Sequence, residues 1–363
     1  MNFPTEIELI EQRIQAIDPV KYAATRNYAN GSLTYLSPYI SRGVISTQQV
    51  FKQLKSLDLP WNQIEKLTQE LAWRDYWQQV WIAKGNAIFT DLKHQQSPVA
   101  HHQLPTAIFE ANTGIEVVDK AIKTLYETGY MHNHIRMYVA SICCNIAHSH
   151  WLTPAKWLYA QLLDGDLASN ALSWQWVAGS FSAKKYYANQ DNINKFFGSK
   201  QKNTFLDVDY DSFSEIKMPN VLTYSKPFKL KTLLPESNEL LVEKNKTTLI
   251  YNYYNLDPYW KKDEDVQRIL LLEPSFFERY PVSQKSIDFV LKLSKNIESI
   301  QLFVGEFSEL FDYISPEHIV YRENPSNTHY VGKQEPRAWL SPVKGYFPSF
   351  FAFWKQAKKA LIA

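Results

Sequence analysis

Along the first 205 or so residues apolar side chains recur at spacings of three and four, most clearly in 62–82, 115–127, 130–148 and 153–163. That is the period of one helix face, and strand-like alternation is nearly absent, so the pattern predicts an all-α domain over 1–205. Helix punctuation agrees: Thr113-Gly114 precedes one run, Thr128-Gly129 separates two, and Thr153-Pro154 opens the next. From 206 to 245 the period dissolves into a polar stretch with Pro219, Pro227 and Pro235, expected as a surface connector. Beyond it, β-type runs at 248–251, 268–272, 299–304 and 318–321 alternate with helical runs at 283–294 and 347–361. Strand–helix–strand alternation predicts a smaller parallel α/β domain over 246–363. The expected fold class is therefore multi-domain, α plus α/β.

Composition narrows the picture. In 363 residues, 45% are hydrophobic and 21% charged, which is globular, and no apolar run reaches membrane-spanning length. The opening MNFPTEIELIEQRIQ lacks a basic region followed by an apolar one, so no secretory signal and a cytosolic location are expected. The two cysteines, Cys143 and Cys144, are neighbours in an apolar helical stretch, which suits small buried side chains and no cysteine-ligated cluster. A net charge of +2 gives no global signal for nucleic acid, so a DNA site would have to be a local patch.

Three segments hold residues that a plain helical core does not need. In Glu70-Leu-Ala-Trp73-Arg74-Asp75-Tyr76-Trp77, Glu70, Trp73, Arg74 and Trp77 share one helix face, through either a surface salt bridge with aromatic packing or a ligand site. In Gly129-Tyr-Met-His-Asn133-His134-Ile-Arg136-Met137, Asn133, Arg136 and Met137 put an amide, a cation and a thioether on one side, which suits a flat heteroaromatic ligand. The two histidines lack the spacing of a helical metal pair, so no metal is expected. In Asp164-Gly165-Asp166-Leu-Ala-Ser-Asn170-Ala-Leu-Ser-Trp174-Gln-Trp176, Asp166, Asn170 and Trp174 step by four along a helix. Capping accounts for one acid, whereas two acids beside Asn and Trp, with Arg136 as counter-ion, indicate a pocket.

Together these segments resemble the FAD-binding domain of DNA photolyases and cryptochromes. The likeness is carried by TGIEVVDKAIKTLYETGYMHNHIRMYVAS and DGDLASNALSWQWVAG, and by Tyr22, Arg26-Asn27-Tyr28 and Leu33-Thr34-Tyr35-Leu36-Ser37 earlier on. The resemblance implies FAD as cofactor: Tyr22 and Leu33 to Ser37 would hold the pyrophosphate, with Arg74 nearby. Arg136 would pair with Asp164 next to Gly165, Asp166 would accept a hydrogen bond from the cofactor, Asn133 would touch it and Asn170 would face the flavin ring. Glu70, Trp73, Asn133, Met137 and Trp176 match the cavity that receives a flipped pyrimidine dimer in the class repairing cyclobutane dimers. Arg26, Trp77, His134, Lys184 and Lys185 would border the DNA. Trp174 and Trp151 match the inner two members of the family's electron-transfer chain.

The chain departs from that pattern in three places. The outer tryptophan expected around Gln95 to Ser97 is missing, and Trp77, Trp81 or Trp157 stand as substitutes against a plain packing role. His134 and the run Lys185-Tyr-Tyr-Ala-Asn189 replace two phosphate-gripping arginines, with five lysines and one acid, Asp191, in 184–203 as compensation. The α/β segment follows the FAD domain, where the family places one before it, either as a relocated counterpart or as an unrelated module. No antenna chromophore is assigned. Three functions stay open: light-driven repair of cyclobutane pyrimidine dimers by electron transfer from excited reduced flavin, a cryptochrome-like light sensor whose C-terminal domain binds a protein partner, and a DNA-binding flavoprotein without repair.

Overall fold

A computed structural model describes residues 3–237 and 239–362. Met1, Asn2, Asn238 and Ala363, which the expected domain ranges include, lie outside the described residues. The described residues form two compact units: Val20–Leu33 with Ala83–Lys229, and 3–19 with Thr34–Ile82, 230–237 and 239–362.

The first unit is helical, as its three-and-four spacing predicts. Helices Glu116–Thr128, Asn133–Ser141, Leu152–Gln161 and Leu167–Ala178 surround a core that includes Ile122, Val139, Trp151, Trp157 and Trp174. Asn133–Ser141 runs on into a π-helical turn, Ile142–Ile146, which contains both buried cysteines. Gly129 ends Glu116–Thr128 in the left-handed region at φ 72°, and a Cβ there would lie 2.6 Å from Leu163 Cγ. Glycine therefore lets the chain turn and lets the Asp164 loop approach, joined by the Leu163 amide donating to the Gly129 carbonyl at 2.9 Å.

The second unit contains a five-stranded, all-parallel sheet. Its strands are β1 (Thr248–Tyr251), β2 (Gln267–Leu272), β3 (Ile300–Val304), β4 (Ile319–Arg322) and β5 (Lys333–Glu335), in the spatial order β3-β2-β1-β4-β5. Four of them fall on the apolar runs in the sequence. β5 has no such run, because a three-residue edge strand of Lys-Gln-Glu is exposed and needs no apolar face.

Residues 34–82 gather with the C-terminal half, which differs from the division expected at residue 205. The long helix Trp61–Lys84 explains why. Its buried Asp75 accepts hydrogen bonds from the Leu340 amide at 2.7 Å and the Thr47 hydroxyl at 3.1 Å. Gln79 accepts from the Gly345 amide at 2.8 Å, Gln78 from Arg337 at 2.9 Å, and Lys358 pairs with Glu65. Polar groups buried on this helix are thus satisfied by the C-terminal segment, a requirement that hydrophobic periodicity does not register.

Candidate functional site

The predicted residues divide between the two units. In the first, the helix Asn133–Ser141 projects Arg136 toward the turn that precedes Leu167–Ala178. Its Nη2 donates to both carboxylate oxygens of Asp164 at 3.0 Å, and its Nε donates to the Met131 carbonyl at 2.8 Å. The Asp164 side chain is only 4% exposed and that of Arg136 20%, so the pair is charge-assisted and largely desolvated. Gly165 lies between Asp164 and Asp166, where a Cβ would approach the Tyr159 carbonyl to 2.9 Å. Asp166 caps Leu167–Ala178 by accepting from the Ser169 amide at 2.7 Å, so the capping role expected of one acid belongs to it.

Asn170, one turn further on, donates from Nδ2 to the Ala155 carbonyl at 2.9 Å, which fixes its amide orientation. Between Asp166 and Asn170 the buried Ser169 hydroxyl has no hydrogen-bond partner. An orphaned buried hydroxyl beside two acids, an oriented amide and a guanidinium suits a polar group such as a flavin ring edge or ribose, so the residues fit FAD. Asn133 is exposed at the start of its helix and Met137 is half-buried.

Trp174 and Trp151 are both buried in the core of this unit. Trp176 is 37% exposed and leans against Tyr186 at 5.9 Å. Tyr22 lies half-buried on the helix Pro19–Thr25, where Arg26 donates to the Ala23 carbonyl at 2.8 Å, and Leu33 ends this part of the unit. His134 is set between the Asn27 carbonyl at 3.2 Å and the Tyr138 hydroxyl at 3.3 Å. Burial pushes its pKa down, so it brings no fixed cation to the place where an arginine was expected. His132, which caps the same helix, is pushed down to about 4 by burial and then by His134 and Arg136. Lys184 is exposed, while Lys185 is half-buried and its pKa is lowered by desolvation.

In the second unit, Thr34, Tyr35 and Leu36 lead into the short helix Ser37–Ser41. Tyr35 adopts φ 52° with its carbonyl held by Arg13 at 3.3 Å, the Thr34 hydroxyl faces the Leu36 amide at 3.5 Å, and Leu36 is buried. Arg74 reaches this helix by donating to the Ser41 hydroxyl. Glu70 forms an ion pair with Lys66 at 2.9 Å on the half-exposed face of its helix. Trp73 stacks on Phe350 of the C-terminal helix Phe350–Ile362, with centroids 3.6 Å apart and planes 9° from parallel. One face of Trp73 is therefore covered from within the unit. Trp77, expected beside DNA, is only 5% exposed and packs on Trp73 and Tyr76 at 5.1 and 4.9 Å. Its ring has no free face for a nucleotide, and core packing is its role. The helix face read as unsuited to a core is thus half core, because the C-terminal aromatics supply the other half.

Sequence reasoning missed Asp75, Phe350 and Asp91. Asp91, with no helical period around it, accepts the Trp151 indole N–H at 2.7 Å. Among the described residues no group of three or more His, Cys, Asp or Glu is arranged to hold a metal, and no helix is long and apolar enough to cross a membrane.

With the pocket residues in place, the comparison with known families is decisive: residues 67–205 match the FAD binding domain of DNA photolyase. Over these residues the chain is similar to that domain. A deoxyribodipyrimidine photo-lyase from Synechococcus sp. is 33% identical over 169 residues, which are 44% of this chain and 35% of that protein. Cryptochrome-1 of Arabidopsis thaliana is 24% identical over 192 residues, covering 48% of this chain and 27% of that protein. The chain thus spans about a third of the length of the curated relatives it matches. The crystal structure of a Synechocystis cryptochrome superposes with a TM-score of 0.50 at 24% identity, over 54% of this chain and 44% of that one, which shows a shared fold. The photolyase-type FAD-binding domain is followed in this chain by the parallel sheet described above.

Proposed function

We propose that this protein is an FAD-dependent, light-driven DNA photolyase acting on cyclobutane pyrimidine dimers. The observation that carries the reading is the bidentate Arg136–Asp164 pair, buried at the base of Leu167–Ala178 beside the oriented Asn170 amide. Bound FAD in its reduced form supplies the photoexcited electron donor. The chain's own contributions follow from chemistry. Arg136 offers fixed positive charge beside an electron-rich ring, with Asp164 holding its orientation. Asn170, a neutral amide pinned at Ala155, provides hydrogen bonding without a readily transferable proton, which suits a reaction that moves an electron out and back. The half-exposed Trp176 indole is able to stack on an extruded base. Lys184 and its neighbours give a point-charge grip on phosphate, weaker in geometry than arginine and more sensitive to salt.

A specific observation favours a second reading, a cryptochrome-like light sensor. Phe350 covers a face of Trp73, a residue the repair reading needs for base stacking, so the C-terminal helix engages the substrate-side residue directly. The deciding experiment illuminates the reduced, flavin-loaded protein with an oligonucleotide carrying one thymine dimer and follows dimer loss by chromatography. Light-dependent loss supports repair; intact dimer despite full flavin occupancy and DNA binding removes it and leaves the sensor and the DNA-binding flavoprotein without repair.

A further inference from the structure

Trp151 is fully buried, yet its indole N–H is directed at a carboxylate at the edge of solvent. Nε1 lies 2.7 Å from Asp91 Oδ1, and the Asp91 side chain is 18% exposed. The same oxygen faces His150 Nε2 at 3.2 Å, while Oδ2 accepts the Gln96 amide at 2.8 Å. Burial lowers the His150 pKa, so the imidazole is neutral near neutral pH and donates to the carboxylate rather than neutralising it. Gln96 stands in the stretch where the family's outer tryptophan was expected and was missing. It is buried, accepts the Trp151 amide at 2.9 Å and donates to the Ser149 carbonyl at 2.8 Å, clamping the carboxylate and the indole in register. A second buried indole of this core, Trp157, is directed instead to the Tyr126 hydroxyl at 3.0 Å, a poor proton acceptor that itself donates to the Phe109 carbonyl.

We propose that Asp91 is the proton acceptor that ends charge separation at Trp151, in place of a hop to an outer tryptophan. The inference rests on the flavin reading above and adds a step to it. Trp151 loses one electron, by way of Trp174, to the photoexcited flavin, which is the oxidant. Loss of an electron makes an indole N–H strongly acidic. The N–H bond then breaks with its electron pair left on the indole nitrogen, and the proton bonds to Asp91 Oδ1. The products are a neutral indolyl radical and a carboxylic acid, with one electron gained by the flavin. Charge return now requires the proton to come back as well, so the separated state lives longer. The short hydrogen bond needs no reorganisation before transfer, and the partial exposure of Asp91 lets water take the proton on.

The test is flash photolysis of the oxidised, flavin-loaded protein, with absorption and electron paramagnetic resonance used to distinguish a tryptophan radical cation from the neutral radical. Asp91→Asn keeps an acceptor oxygen of similar shape and removes the basicity; Asp91→Glu restores it. The expected result is a neutral radical in the wild type that is absent in Trp151→Phe. In Asp91→Asn a cation is expected to decay at least tenfold faster, with the neutral form restored in Asp91→Glu and unaffected in Trp157→Phe. A second readout needs no flavin: the Trp151 indole N–H resonance of the apoprotein should lie downfield and shift upfield in Asp91→Asn, which also reports whether that variant keeps its fold. A neutral radical of unchanged lifetime in a folded Asp91→Asn overturns the proton step while leaving the flavin reading intact. Absence of any flash-induced tryptophan radical in the flavin-loaded wild type also overturns the proton step, whereas a folded wild type that takes up no FAD overturns the flavin reading.

Discussion

A guanidinium and a carboxylate buried together have lost water that neither can regain, so each depends on the other. Removing one side of such a pair costs about 3–5 kcal/mol, and in this protein the cost falls on Arg136 and Asp164, at the centre of the candidate pocket. Asp75 is a buried acid of a different kind. Burial raises its pKa to about 6 from the ordinary 3.8, and hydrogen bonds from Leu340 and Thr47, with Arg337 and Arg74 nearby, offset only part of that rise. Because the folded state holds the proton more tightly than the unfolded chain, acid favours folding at this site. The contribution is largest below the ordinary value and is lost as pH rises through about 6. Lowering the pH from about 7 to about 5 should therefore add about 1 kcal/mol to stability through Asp75 alone. Denaturant titrations at both pH values, compared with Asp75→Asn, check this: the pH-dependent gain should shrink in the variant, and an unchanged gain would assign it to other groups. Asp75 lay within a segment singled out for its helical face, but its burial was not legible there, since one of its two partners, the Leu340 amide, lies 265 residues away.

At the scale of elements, hydrophobic period located what it physically reports. The helices Glu116–Thr128 and Leu152–Gln161 and strands β1, β2 and β4 bury most of their apolar residues, so their boundaries emerge within a residue or two of the sequence pattern. β5 and the docking of Phe350–Ile362 do not follow from local pattern, because an edge strand needs no apolar face and a docked helix reveals its partner only in three dimensions. Pocket residues were legible where motif and spacing coincide, as for Arg136 and Asp164, and illegible where a surface face is covered by distant chain, as for Trp77. Phe350 tests the element-level account. It is 2% exposed and stacked on Trp73, so Phe350→Ala should cost about 3–5 kcal/mol. It should also open a face of Trp73 to quenchers of tryptophan fluorescence. Full stability with unchanged quenching would show that the helix does not cover Trp73 in solution.

At the scale of the whole molecule, a photolyase-type FAD-binding domain occurs in one chain with a C-terminal parallel sheet of order β3-β2-β1-β4-β5, and Thr34–Ile82, which overlaps the start of the matched residues, groups with that sheet in one compact unit. Folds of either kind serve many activities, so function has to rest on the site. The site's central claim is that the Arg136–Asp164 pair forms one wall of a flavin pocket. Flavin content per chain, measured by absorption after purification with added FAD, tests it most directly, with circular dichroism confirming that each variant is folded. The wild type should hold close to one FAD per chain, and folded Asp164→Ala should lose at least nine-tenths of it. A folded Asp164→Ala protein that remains as yellow as the wild type would contradict the account.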